Sequence, residues 1–314
     1  MPNTRLLIVP LAAALAATLA ACGGNGGSNG NGSGLSGSIR IDGSSTVAPL
    51  SEAAADEFQQ KNSGVRVTVG TSGTGGGFEK FCRGEIDIAD ASRQIEDDEK
   101  ALCRKNGVEW AEVQVANDGI AVVVNKDNDF VKCLTVAELR KIWDQGSRVK
   151  NWNQVRSSFP NRPIELYGPG TDSGTFDFFT KAINGEEGRS RTDYNASEDD
   201  NVLVQGVAGN AGALGYFGLS YYEQNQDKLK LVEVDGGQGC VAPSKETVQN
   251  GTYKPLSRPL FIYPSREALQ RREVREFVRF YIDNEEQLTK RALFIDLTDA
   301  QQRKARQEVE KLAG

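Results

Sequence analysis

The chain has 314 residues, 37 of them Lys or Arg and 43 Asp or Glu, a formal net charge of −6, and no histidine. An acidic chain without a basic patch argues against nucleic acid as a partner. The missing histidine excludes a Ser–His–Asp hydrolase and, with no Cys-x-x-Cys spacing, leaves nothing that reads as a zinc site.

Residues 1–21 read as a secretory signal: Arg5 supplies a thin positive start, and Leu6 to Ala21 is a continuous apolar and alanine run. That run is too short and too poorly flanked for a stable membrane span. Leu19-Ala20-Ala21-Cys22 resembles a bacterial lipobox, which makes Cys22 the expected lipidated first residue of the mature chain. Residues 22–38 are almost wholly Gly, Ser and Asn, a composition that buries no apolar surface, and they are expected to form a flexible tether. Losing residues 1–21 removes only Arg5, so the mature balance is 36 basic against 43 acidic residues, a net of −7.

From residue 39 onward a strand–turn–helix order recurs three times. Ile39 and Ile41 mark a strand that leads into Asp42-Gly43-Ser44-Ser45-Thr46, and Pro49 opens a helix striped by Leu50, Ala54 and Phe58. Val65, Val67 and Val69 alternate into Thr71-Ser72-Gly73-Thr74-Gly75-Gly76-Gly77, before a helix carried by Phe78, Phe81 and Cys82. Ile86 to Ala89 is a further short strand, leading to Asp90-Ala91-Ser92-Arg93. Gly119 to Val124 is dense enough in apolar residues for a strand buried on both faces. Thr135 and Glu138 have capping-box spacing at the head of a helix. Ile164 and Leu166 alternate into Gly168-Pro169-Gly170-Thr171-Asp172-Ser173-Gly174-Thr175, before a helix on Phe176, Phe179 and Ile183. Pro259 to Pro264 is a strand bounded by prolines, and Val274, Phe277, Val278 and Tyr281 stripe a late helix. This is the pattern of α/β layers, in which ligands sit beyond the carboxyl ends of strands.

Each of the three turns admits two readings. Glycines let backbone N–H groups approach a ligand, and a helix start leaves such groups unpaired beside the positive end of the dipole, so converging turns make an oxyanion cradle. Alternatively each hydroxyl merely caps its helix. Three turns in one chain favour the cradle. Asp199-Asp200-Asn201 is expected to be a helix start, and Trp110, Trp143 and Trp152 to be packing residues.

Cys22 aside, four cysteines in an exported chain favour two disulfides, with three possible pairings, over buried thiols. The expected pairs are Cys82–Cys103 within one half and Cys133–Cys240 within the other.

The turns, together with Gly84-Glu-Ile-Asp-Ile-Ala-Asp-Ala-Ser-Arg93, Asp118-Gly-Ile-Ala-Val-Val-Val-Asn125, Ser197-Glu-Asp-Asp-Asn201 and Leu256-Ser-Arg-Pro-Leu-Phe-Ile-Tyr263, resemble the PstS family, the phosphate-binding proteins of bacterial phosphate ABC transporters. The resemblance runs in order over nearly the whole mature chain. It implies an α/β, two-lobed periplasmic-binding-protein type II fold with a hinge of two crossing segments, Gly119–Val124 and Leu256–Tyr263. Lobe 1 is then 39–118 plus 258–314, and lobe 2 is 119–257. It also implies a monomeric extracytoplasmic receptor, not an enzyme and without a cofactor, that holds inorganic phosphate in the cleft. Its partners are an ABC permease with its ATPase, and the membrane through a lipid anchor.

Carried over by motif, the phosphate contacts are Ser45, Thr46 and the Val47 amide in the first turn, Ser72 or Thr74 in the second, and Ser173, Gly174 and Thr175 in the third. Arg93 stands where the best-studied branch of the family has an aspartate after the Ser of its Ala-Ser segment (here Ser92), and Pro169 where that branch has an arginine. Arg93 is therefore a candidate to bind two phosphate oxygens through its planar fork, against a structural ion pair with Asp87 or Asp90. A carboxylate that accepts the proton of P–OH would repel sulfate, which has none, and Asp90 and Asp172 are the candidates nearest in sequence. Other readings are a receptor for sulfate, molybdate or a phosphonate, and a tethered phosphate sensor or adhesin. A secreted serine hydrolase or phosphatase lacks a supporting motif.

Overall fold

The computed structural model describes residues 34–313. The signal sequence, Cys22 and most of the Gly/Ser/Asn stretch lie outside the described residues. Eleven strands form the framework: β1 (Ser36–Gly43), β2 (Gly64–Gly70), β3 (Ile88–Ala91), β4 (Val113–Asn125), β5 (Cys133–Thr135), β6 (Glu165–Gly168), β7 (Asn195–Ala196), β8 (Ala213–Gly218), β9 (Leu229–Asp235), β10 (Cys240–Val241) and β11 (Ser257–Pro264). The main path runs β2-β1-β3-β11-β4-β8-β6-β7, and β9 joins β4 to β5 and β10.

β1 pairs in parallel with β2 from Ser36↔Gly64 to Asp42↔Gly70. Its first three residues correct the expected tether boundary, since Ser36, Gly37 and Ser38 stand in the ladder. A ladder is built from backbone groups, so Gly and Ser can extend it without burying a side chain.

Helix α1 (Ala48–Lys61) has Pro49 in its first turn and buries Leu50, Ala54 and Phe58. Helices α2 (Gly73–Cys82) and α3 (Asp97–Lys105) are joined by the Cys82–Cys103 disulfide. Helix α4 (Val136–Trp143) starts at a reciprocal capping box, in which the Thr135 amide donates to Glu138 at 2.9 Å and the Glu138 amide to Thr135 Oγ1 at 3.1 Å. The Cys133–Cys240 disulfide ties β5 to β10. The helix Gly174–Phe179 continues into a π-helical turn, Thr180–Asn184, and stops at Gly185 in the left-handed region.

The hinge is legible in how β4 changes partners. Its first part pairs with β11, from Val113↔Ile262 to Gly119↔Ser257, and its second with β8 and β9, from Ile120↔Gly218 onward. The change falls between Gly119 and Ile120, where the Ile120 amide donates to the Leu256 carbonyl at 2.9 Å. Apolar side chains divide in the same way. One core draws its residues from 120–256, and the others from 39–116 and 260–312. Ile295 is the exception: it exchanges two backbone hydrogen bonds with Asn117 (2.8 and 2.9 Å) and buries its side chain in the core of 120–256. Trp143 and Trp152 are fully buried, and Trp110 packs against the smallest core.

Candidate ligand-binding site

A cavity of about 720 Å³ opens where the ends of β1, β2 and β3 face the start of β11 and the helix Gly174–Phe179. It gathers Ser45 and Thr46 of the first turn, Ser72 and Thr74 of the second, and Ser92 and Arg93 beyond β3. From across the cleft come Asp177, Lys181 and Glu187, and from the hinge strand Arg258.

Capping does not account for the first two turns. The residue preceding α1 is Val47 and that preceding α2 is Ser72, and neither side chain bonds to its helix. The third turn does cap, because Ser173 Oγ accepts the Thr175 amide at 3.2 Å. Asp199 likewise caps its helix by accepting from the Asn201 amide at 2.9 Å.

Arg258 is the residue that sequence reasoning missed. Its Nη2 donates to Thr46 Oγ1 at 3.0 Å and to the Gly174 carbonyl at 3.2 Å, while Nε donates to Asp118 Oδ2 at 3.0 Å. One guanidinium thus touches the first turn, the third turn and the hinge, with its Cζ 4.0 Å from the Phe178 ring centroid. Burial pulls its pKa below the ordinary arginine value, against the pull of Asp118, yet a guanidinium stays charged at physiological pH. The sequence signal is a base beside the proline of Leu256–Tyr263, a segment whose pattern marks a strand, a crossing and the family resemblance but assigns Arg258 no contact. Because Thr46 Oγ1 accepts from Arg258, the Thr46 hydroxyl proton is free to point at an anion. A Cβ on Gly174 would stand 2.2 Å from Thr46 Oγ1, so glycine there lets the two turns meet.

The other expected contacts are placed differently. The Val47 amide donates to the Ser44 carbonyl at 3.1 Å and its side chain is wholly buried. Ser173, Gly174 and Thr175 border the cleft behind Thr46 and are not among the residues lining the cavity. Arg93 does line it, but its fork is bidentate on Glu99 (both bonds 2.8 Å) with Glu96 alongside at 3.3 Å. Neither Asp87 nor Asp90 is its partner; Asp87 instead meets Arg40 and Arg271.

The two carboxylates expected to read the phosphate proton do not reach the cavity. Asp90 is fully buried behind it, where Oδ1 accepts from Ser51 at 2.9 Å and Oδ2 has no partner. Burial pushes its pKa up to about 8. β3 is buried at every position, so its aspartate side chain turns inward. Asp172 is exposed and does not line the cavity. The aspartate that does is Asp177, half-buried one turn into the helix, where burial and Glu187 raise its carboxyl to about 6 against Arg258.

Fold and site define a two-lobed α/β solute-binding protein with a polar cavity beside its hinge. Residues 29–285 match the model of the PBP superfamily domain, and the chain belongs to that superfamily. It is 53% identical to protein SphX of Synechococcus elongatus over 82% of this chain and 77% of that one. It is 41% identical to the phosphate-binding protein PstS of Staphylococcus saprophyticus, over 83% and 81%. A solved structure described as a possible phosphate binding protein from Planctomyces limnophilus superposes with a TM-score of 0.86 at 47% identity, covering 89% of this chain and all of that one.

Proposed function

We propose that this chain is an extracytoplasmic receptor that binds inorganic phosphate in the cavity between its lobes and hands it to an ABC permease. The observation that carries the reading is Arg258, a buried cation that joins the hydroxyl turn of one lobe to the glycine turn of the other. A charged hydrogen bond contributes about 1.5–3 kcal/mol, and four or five from Arg258, Thr46, Thr74 and neighbouring amides offset association costs to reach roughly micromolar affinity. The named activity of the relatives supports the choice of phosphate among tetrahedral oxyanions. Asp177 takes the selectivity role, as the aspartate at the cavity wall. Lobe 1 comprises 36–119 and 257–314, and lobe 2 is 120–256. Lipidation at Cys22 anchors the monomer to the membrane, and the chain acts as a receptor without catalysis.

Equilibrium binding of radiolabelled phosphate to the purified mature chain, with sulfate as competitor, tests the reading. Saturable binding that sulfate displaces poorly supports it. No saturable binding, or equal displacement by sulfate, overturns it.

A further inference from the structure

Two hydroxyls of the cradle have opposite hydrogen-bond polarity. Thr46 uses a lone pair on Arg258 and keeps its proton, as described above. Ser72 is the reverse: its Oγ lies 2.8 Å from Asp42 Oδ1, and its amide donates to the same oxygen at 2.9 Å. An ionised carboxylate only accepts, so the Ser72 hydroxyl proton must point at Asp42. Asp42 is the penultimate residue of β1, and its second oxygen is paired with Lys80 of α2. A Cβ on Gly70 would stand 2.8 Å from the Asp42 carboxyl, so glycine at the end of β2 is what lets the carboxylate seat here. Burial raises the Asp42 pKa, but Lys80 and the two Ser72 donors outweigh it, and the carboxyl titrates below its ordinary value. Asp42 is therefore ionised wherever the protein is folded near neutrality. Ser72 lines the cavity and Asp42 does not.

Resting on the phosphate reading, we propose that the Ser72 hydroxyl faces the ligand as an acceptor only, because Asp42 holds its proton, and that this pair selects an oxyanion that carries a proton. Hydrogen phosphate brings a P–OH to the free lone pair of Ser72. Sulfate brings only lone pairs, and meets one there. Asp42 is then a positioning residue that acts through Ser72 and sets its polarity without touching the ligand. The carboxylate at Asp177 lies across the cleft; hydrogen phosphate has one proton and satisfies one of the two acceptors, whereas dihydrogen phosphate has two and satisfies both.

The test is competition between phosphate and sulfate on the full mature chain, for Asp42→Ala and Ser72→Ala beside the unchanged protein. Asp42→Ala releases the Ser72 proton, and sulfate affinity is expected to rise about tenfold while phosphate affinity falls. Ser72→Ala sits at an exposed position that the fold tolerates, and the phosphate-to-sulfate ratio is expected to fall by about tenfold there too. A merely structural role for Asp42 would weaken both anions together, and that result, or an unchanged ratio in Ser72→Ala, overturns the proposal. Failure of the unchanged protein to bind phosphate overturns the receptor reading and this inference with it. Phosphate binding with unchanged ratios in both variants overturns this inference alone.

Discussion

Two arginines reach the same cavity from different kinds of backbone, and the contrast shows what makes a cation available to a ligand. Arg93 follows β3 on a loop, is about one-third exposed, and has both fork nitrogens on Glu99. Arg258 is set in the hinge strand with a side chain only 12% exposed, and its acid, Asp118, takes Nε alone. The same Nη2 therefore meets both turns. An exposed arginine saturated by a bidentate carboxylate offers an incoming anion little. A buried one, bonded on one edge and stacked on Phe178, is already oriented before the anion arrives.

That contrast is sharpened or broken by substitution. Arg258→Lys keeps a charge beside Asp118 but cannot span Thr46, Gly174 and Asp118 together, so phosphate affinity should fall ~100-fold; isothermal titration calorimetry reads it, and a loss under threefold would equate the two arginines. Asp177→Asn should cost about tenfold in phosphate-to-sulfate ratio. In the unchanged protein that ratio should also decline as pH drops through about 6, where Asp177 gains its proton, and Asp177→Asn should show no such step.

Asp90 predicts an effect on stability rather than on binding. Its folded pKa of about 8 lies above the ordinary value of 3.8, so the folded state holds a proton that the unfolded state releases. Burial costs nothing below pH 4, and stability is lost progressively as pH rises from about 4 to about 8. Thermal melts between pH 5 and 8 should show this slope, shallower in Asp90→Asn. Smallest of all, Arg93→Ala should change phosphate affinity by less than ~3-fold, within what an exposed ion pair contributes; a larger loss would show that Arg93 leaves Glu99 when phosphate binds.

The strands, the turns and the capping box were readable because each rests on local periodicity or on fixed spacing. β1 and β2 alternate, and Thr135 and Glu138 meet within one turn of helix. The hydroxyl turns were legible as positions but not in polarity. Whether Ser72 donates or accepts depends on Asp42, thirty residues away and adjacent only once β1 and β2 are paired. Arg258 was hidden for a similar reason, since its partners at Thr46 and Gly174 are 212 and 84 residues distant. Asp90 misled because proximity in sequence to Arg93 says nothing of the face on which a fully buried strand presents its side chain.

The hydrogen bond from Ile120 to Leu256 has a topological meaning. The 137 residues from Ile120 to Leu256 leave and re-enter lobe 1 at adjacent points of one antiparallel pair. In the grammar of the fold they are a single very long hairpin loop, grafted between Gly119 and Ser257. Such a graft can be exchanged as a module: a short turn closing Gly119 onto Ser257 should leave lobe 1 a continuous sheet, with Ile295, which packs into the core of 120–256, made polar.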